Sequence, residues 1–294
     1  PVEANVAALR VLKDIVPDSC ILTDVGSVKT DIHQAASALG LDGRFIGGHP
    51  MTGSEKSGYE VSVPHLFENS YYIITPSEGT DPEKVAAFRS LIERTGALPL
   101  LLDYRRHDFA TAAISHLPHL IAASLVNTVH DLDGDDELMK MIAAGGFTDI
   151  TRIASSSPEM WEQICTTNSE NISRVMDTFE RLLEASRDAM RRGDGKQIND
   201  MFRRSREYRN SFSSSASGPI DRTWRVFCDI VDESGAIATI ATILAVHSIN
   251  IKNIGIIHSR EFEEGVLQID FYEEEPAKKA AQVLEQHRYK VWVR

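Results

Sequence analysis

Apolar positions along the first hundred residues recur with two periods, and the switches between them mark the expected elements. Val6, Leu9, Leu12 and Val16 repeat at near-helical spacing, and Pro17 ends the helix they predict. Cys20-Ile21-Leu22-Thr23-Asp24-Val25 reads as a buried strand running into Gly26-Ser27. Phe45-Ile46-Gly47-Gly48, Tyr71-Tyr72-Ile73-Ile74 and residues 98–102 read the same way. Between the last two a helix is well marked. Asp81 caps it, Pro82 suits its first turn, Val85, Phe88, Leu91 and Ile92 share a face, and Gly96 stops it. Residues 1–103 are therefore expected to be a piece of an α/β domain.

Strand signals then vanish. Residues 110–130 and 136–144 predict helices, and residues 158–191 predict a third, capped by Ser157. Its Ile172, Val175, Met176, Phe179, Leu182, Leu183 and Met190 form a stripe too long for one helix to bury alone. An all-α domain over 104–210 that also forms a homodimer interface is expected. Residues 211–218 are Ser-rich and followed by Pro219, so 211–221 reads as a linker. Beyond it Trp224, Val226, Cys228 and Ile230 alternate as a strand, and Ile237, Ile240 and Leu244 mark a helix. Strands at 249–257 and 266–272, a helix from Pro276 and a strand at 289–293 complete a β-α-β-β-α-β order. That order is ferredoxin-like, so 222–294 should be an α+β domain.

With 294 residues the chain has room for these three cores. A net charge of −12 argues against a nucleic-acid partner, which needs a basic face. The basic stretch 191–209 is interrupted by Asp194, Asp200 and Glu207 and reads as a solvated helical face. Cys20, Cys165 and Cys228 lie far apart, a poor disulfide framework. No uninterrupted apolar run of membrane length and no signal start are seen, so a cytoplasmic protein without a membrane partner is expected.

Candidate chemistry centres on His49-Pro50-Met51-Thr52-Gly53-Ser54-Glu55-Lys56-Ser57-Gly58, which sets a histidine at the end of a short strand. Open α/β sheets place their ligands there, outside the carboxyl ends of the strands. His107-Asp108, Ser115-His116-Leu117-Pro118-His119, Gly145-Gly146-Phe147-Thr148-Asp149-Ile150-Thr151-Arg152 and Met160-Trp161 follow. Together these motifs resemble the prephenate dehydrogenases, from Pro1 to about residue 190. Asp232, Gly235-Ala236-Ile237-Ala238 and Ile249-Asn250-Ile251 look like an ACT domain, an amino-acid-sensing module.

The resemblance implies a Rossmann-like domain, a helical dimerisation domain and an ACT domain, with NAD as cofactor, prephenate as substrate and L-tyrosine as effector. Such a fold announces its cofactor by G-x-G-x-x-G and an acidic residue about 20 positions on. Neither occurs here, and the family carries them upstream of the position matching Pro1. The chain is thus expected to open midway through its dinucleotide domain.

By the same resemblance His49 takes the proton of the substrate's 4-hydroxyl, and Arg152 grips the ring carboxylate with its guanidinium fork. The plainer alternatives are a histidine bonded to a local carbonyl and an arginine paired with Asp149. His116 and His119, with His107 behind them, are expected to donate to carboxylate oxygens, and Trp161 to shape the cavity. His107, Asp108, His116 and His119 also invite a zinc reading, but no tight H-x-x-x-H or thiolate accompanies them, so no metal is expected. Asp24, Gly26 and Ser27 stand where backbone donors and the Ser27 hydroxyl would meet nicotinamide or the 4-hydroxyl, or where a plain helix cap would stand. Ser54 and Glu55 complete the substrate turn, and Asp232, Gly235 and Asn250 are the effector candidates. Arogenate dehydrogenase is the near alternative, against which His119 favours prephenate. A non-catalytic amino-acid-sensing dimer is the alternative of another class.

Overall fold

The computed structural model describes residues 2–52, 58, 60, 62, 66–215, 224–230, 234–257 and 265–293. Its chain divides into two units, Pro1–Ser205 and Arg206–Arg294.

The first unit opens with α1 (Val2–Ile15), β1 (Leu22–Thr23), α2 (Thr30–Ala38), β2 (Phe45–Pro50), β3 (Tyr71–Pro76), α3 (Pro82–Glu93) and β4 (Leu98–Leu101). The strands lie in the order β1-β2-β3-β4, with β2 and β3 antiparallel and the outer pairs parallel. Alternation along β2 serves two cores. Phe45 packs with Leu9, Leu22, Ile32, Ala36 and Leu41, while Ile46 packs with Tyr72, Ile74, Phe88 and Ile92. Each such fully buried side chain contributes about 1.5–3 kcal/mol. The expected strand 20–25 shortens to β1 because the chain turns at Asp24, whose carboxylate accepts from the amides of Gly26 and Gly48 at 2.8 and 3.2 Å. Asp81 caps α3 as expected, accepting from Glu83 N at 2.9 Å.

Two glycines let β2 run close to its neighbours. A Cβ on Gly47 would overlap the Thr75 hydroxyl and lie 2.8 Å from His33 Nε2, and one on Gly48 would lie 2.6 Å from both the Asp24 carbonyl and the Tyr72 hydroxyl. This tight passage delivers His49.

The helical part differs from its pattern-based outline in four places. The helix expected at 110–130 starts earlier, as α4 (Tyr104–Thr111) capped by Asp103, and passes through a π turn (Ala112–His116) into α5 (Leu117–Leu132). The helix expected at 136–144 shrinks to α6 (Leu138–Ile142), and an unassigned segment forms α7 (Gly145–Thr151) with a 3₁₀ turn (Arg152–Ser155). The single helix expected at 158–191 breaks at Asn168 into α8 (Pro158–Thr167) and α9 (Ser169–Arg192). Finally, α10 (Gly195–Ser215) extends into the expected linker. Leu182, Leu183, Met190, Met201 and Phe202 stay exposed on α9 and α10. By length and composition Tyr104–Leu132 could cross a membrane, but it buries the charged and polar His107, Asp108 and His116.

The second unit comprises β5 (Trp224–Ile230), α11 (Ala236–Val246), β6 (Asn253–Ile257), β7 (Gly265–Phe271), α12 (Glu274–Gln286) and β8 (Val291–Val293). Its antiparallel sheet has the order β6-β7-β5-β8, the ferredoxin-like arrangement the pattern predicted. Val226, Cys228 and Ile230 alternate inward from β5 onto Ile240, Leu244, Ala280 and Leu284.

Candidate active site

His49 emerges at the end of β2, opposite Ile73 of β3. Its Nδ1 lies 2.7 Å from His107 Nε2, and His107 Nδ1 lies 2.8 Å from the Asp108 carboxylate. Asp108 also accepts from Lys29 N at 2.8 Å and from Thr30 N at 2.7 Å, as well as from the Thr30 hydroxyl. A carboxylate on α4 thus caps α2 and ties the sheet domain to the helices. That cap satisfies two of the amides at the α2 N-terminus and sets a carboxylate against the positive end of the helix dipole.

Asn168 holds the other side. Its Nδ2 donates to the Asp108 carbonyl at 2.8 Å and to His116 Nδ1 at 3.1 Å, while its Oδ1 accepts from Asn171 Nδ2 at 2.8 Å. This leaves His116 with its proton on Nε2, a hydrogen-bond donor. His119 is set the opposite way. Its Nδ1 donates to the Ser115 carbonyl at 2.8 Å, so the neutral ring offers Nε2 as an acceptor. The Trp161 ring stacks on His119 at a centroid distance of 3.8 Å, and its buried Nε1–H has no partner among the described residues.

The electrostatics favour the neutral form of His49, His116 and His119. Burial, with His107, Lys29 and His116 nearby, pushes His49 down to about 3. Burial likewise pushes His116 down to about 4, against the pull of Asp108. Burial also lowers His119, only partly offset by its bond to Ser115. For Asp108, burial acts to raise the pKa, but the hydrogen bonds from His107, Thr30 and the Lys29 amide outweigh it and hold the carboxyl below the usual range. Lys29 is fully buried and ion-paired with Asp24; burial lowers its pKa even so.

The structure therefore gathers His49, His107 and His116, with His119 and Trp161 on the same helical side. Asp24 is placed differently from the expectation. Its carboxylate faces inward, engaged by Lys29, Gly26 and Gly48, and builds the β1–α2 loop instead of facing a ligand. Ser27 and Gly26 on that loop are half-buried, beside an exposed Val25. Arg152 is exposed on the 3₁₀ turn, which packs against α5. Ser54, Glu55 and Asp232 lie outside the described residues. Gly235 precedes α11 with φ +94°, whereas Asn250 follows the far end of that helix. Among the described residues no group of His, Cys, Asp and Glu side chains is arranged to hold a metal.

Sequence reasoning missed Lys29, Thr30 and Asn168. Asp24 five residues before Lys29 was the available signal for a buried pair. Asn168, one of several polar residues between Ile164 and Ile172, carried none.

Comparison with known proteins agrees with this geometry. Residues 1–100 match the family "Prephenate dehydrogenase, nucleotide-binding domain", and residues 103–204 match "Prephenate dehydrogenase, dimerization domain". The chain is 37% identical over 287 residues to the prephenate dehydrogenase of Bacillus subtilis, covering 97% of this chain and 77% of that protein. The Aquifex aeolicus prephenate dehydrogenase, solved with hydroxyphenyl propionate and NAD+, superposes with a TM-score of 0.68 at 31% identity, over 72% of this chain and 74% of that one. Synechocystis arogenate dehydrogenase superposes at 0.66 with 31% identity, over 72% and 76%. The chain, by its two domain matches and by its likeness to these enzymes, belongs to the prephenate dehydrogenase family.

Proposed function

We propose that this protein catalyses the NAD+-dependent oxidative decarboxylation of prephenate to 4-hydroxyphenylpyruvate, the step toward L-tyrosine. The observation that carries the reading is a neutral histidine, held to about 3, at a strand end beside two further buried histidines. Such a ring is unprotonated at neutral pH and is therefore free to accept a hydrogen bond from the hydroxyl whose oxidation the reaction requires.

NAD+, when bound, supplies the hydride acceptor. The described residues fit its nicotinamide end only. Exposed Val25 offers an apolar surface, with Gly26 and Ser27 beside it, whereas the Lys29 and Thr30 amides at the start of α2 are already taken by Asp108. His49 accepts the 4-hydroxyl proton as that oxygen gains carbonyl character. As the ring carboxylate leaves as CO₂ and the ring becomes aromatic, the same proton returns to the phenolic oxygen. His116 donates from Nε2 to a substrate carboxylate, Arg152 pairs with the ring carboxylate, and Trp161 walls the cavity, with Ser54 and Glu55 on the turn after His49.

Arogenate is a second reading with an observation of its own. His119, expected to favour prephenate, presents an acceptor, which suits the ammonium group of arogenate better than a keto oxygen. Following NADH absorbance with each substrate in turn decides between them. No NADH from either substrate overturns the dehydrogenase reading.

The exposed apolar residues of α9 and α10 support a homodimer. The ferredoxin-like unit is proposed to be an ACT domain binding L-tyrosine, with Asp232 and Gly235 meeting its charged groups. The 11-residue α11, about 16 Å long, separates Gly235 from Asn250. One tyrosine therefore reaches both only when Asn250 comes from a second copy.

A further inference from the structure

His107 has no direct role in the reaction as described so far, yet it is fully buried and both of its ring nitrogens are engaged. We propose that His107, set by Asp108, is the positioning residue that dictates which nitrogen of His49 carries the hydrogen, leaving Nε2 as the base. This rests on the dehydrogenase reading and gives its base an orientation.

The argument is one of donors and acceptors. The Asp108 carboxylate only accepts, and the amides of Lys29 and Thr30 and the Thr30 hydroxyl already donate to it. His107 Nδ1, 2.8 Å away, must therefore carry its hydrogen toward Asp108. In the neutral ring His107 Nε2 is then a lone pair. The only arrangement that makes a hydrogen bond of the 2.7 Å contact has His49 Nδ1 donating to it. Among the described residues His49 Nε2 has no partner, and this nitrogen is the one that can receive a proton. The two rings stand nearly perpendicular, at 74° with centroids 5.0 Å apart, so the link is edge-on and not a stack.

The line also gives the proton a resting place. When His49 Nε2 gains a hydrogen from the substrate, the Nδ1–H bond of His49 can break as an Nε2–H bond forms on His107. The cation then faces the Asp108 carboxylate instead of Lys29, and His49 is neutral again. Return of the proton reverses both steps, so no external acid or base is consumed. Fixing a tautomer through a buried carboxylate is the task of aspartate in Ser-His-Asp triads, where the wrong tautomer costs about 10⁴ in kcat.

The test uses this chain labelled with ¹⁵N-histidine, the His49 signals being assigned by their loss in His49→Asn. The ¹⁵N shifts and one-bond couplings near pH 7 should show hydrogen on His49 Nδ1 and none on Nε2. A His49 protonated on Nε2 in the parent overturns the proposal, and once His49→Asn has given the assignment the parent spectrum suffices even if a His107 variant fails to fold. In His107→Leu the hydrogen should move toward Nε2, while His107→Gln, whose amide oxygen can still accept from Nδ1, should retain the parent pattern. In the kinetic arm, His107→Leu should lower kcat about 10²-fold with KM within about twofold, and His107→Gln should recover about tenfold of that loss. A raised KM with unchanged kcat would make His107 a binding or packing residue and refute the assignment. NADH formation by a protein whose His49 carries hydrogen on Nε2 sinks this proposal alone. The predicted tautomer in a protein that oxidises neither substrate sinks the dehydrogenase reading alone.

Discussion

Replacing Asn168 with alanine should destabilise the first unit by about 2–3 kcal/mol, and the size follows from what its amide holds. The residue is buried and donates to two acceptors on a different helix. His116 Nδ1 would be left buried with no donor, which costs about 1–3 kcal/mol. The Asp108 carbonyl loses less, about 0.5–1.5 kcal/mol, because it also accepts from the Ala112 amide and the Thr111 hydroxyl. Against this, alanine gains up to about 0.7 kcal/mol in helix propensity where α8 meets α9. In a unit of this size 1 kcal/mol shifts Tm by about 2–4 °C, so a fall of roughly 5–10 °C is expected. Far-UV circular dichroism measures both, the free-energy loss by urea denaturation and the fall in Tm by a thermal melt.

A second variant separates hydrogen bonding from packing. Asn168→Asp keeps the shape but turns a donor into an acceptor, so His116 must protonate at Nδ1 to face it. Its pKa, now held to about 4 by burial, should climb, as ¹⁵N titration would show. Should Asn168→Ala unfold within about 0.5 kcal/mol of the parent, or His116 titrate unchanged in Asn168→Asp, the clamp described here does not exist.

Four further outcomes are expected. His49→Asn should fold normally and lower kcat by about 10²-fold or more with KM nearly unchanged; parental kcat would remove His49 from the chemistry. Arg152→Gln should raise KM for prephenate about thirtyfold or more, matching roughly 2–5 kcal/mol of lost ground-state binding, and a KM within twofold would make the arginine structural. Stability should fall on mild acidification: His33 and His116 at about 4 and His49 at about 3 lie below the usual 6.5, so between pH 6.5 and 4 the unfolded chain binds protons the native state refuses. The loss should reach about 2–4 kcal/mol per pH unit, measured as urea midpoints at pH 7 and 5, and equal midpoints would show that these rings are not held neutral. Removing residues 223–294 should leave catalysis intact and abolish inhibition by L-tyrosine; undiminished inhibition would place the effector in the active site.

Much of the frame was legible because local chemistry and tertiary demand coincide. Asp81-Pro82 caps a helix in sequence and in structure, and the alternation of Val226, Cys228 and Ile230 is the same fact as their burial on one face of a sheet. Legibility failed where a side chain serves a distant partner. Asn168 stands in the polar run Thr166-Thr167-Asn168-Ser169-Glu170-Asn171 between Ile164 and Ile172, and nothing in that run singles out the one amide that is needed on another helix. Lysines are rarely buried, so nothing in Lys29 itself announces the buried pair it forms with Asp24. Gly145-Gly146 discourages a helix by backbone entropy, yet α7 starts there, so its helicity must be maintained by its packing on α5.

The π turn is the deepest of these hidden dependences, because it decides which residues share the site. At about 100° per residue, a regular helix would set Asp108 and His116 about 80° apart and His107 and His116 on opposite sides. A π turn closes i to i+5 and takes up one extra residue, so the eight positions from Asp108 to His116 count as seven. The two then differ by about 20°. One amide, that of Asn168, can consequently reach the Asp108 carbonyl and His116 Nδ1 together, as it does at 2.8 and 3.1 Å. The same shift brings His107 and His116 within about 80° of each other, close enough for both to act on His49 electrostatically. Pro118 gives the turn a local cause: it has no N–H to return to the Ile114 carbonyl, and its ring crowds that carbonyl in a regular helix. The tertiary anchors fit the wider turn, Asp108 being pinned to the start of α2 and His116 to Asn168.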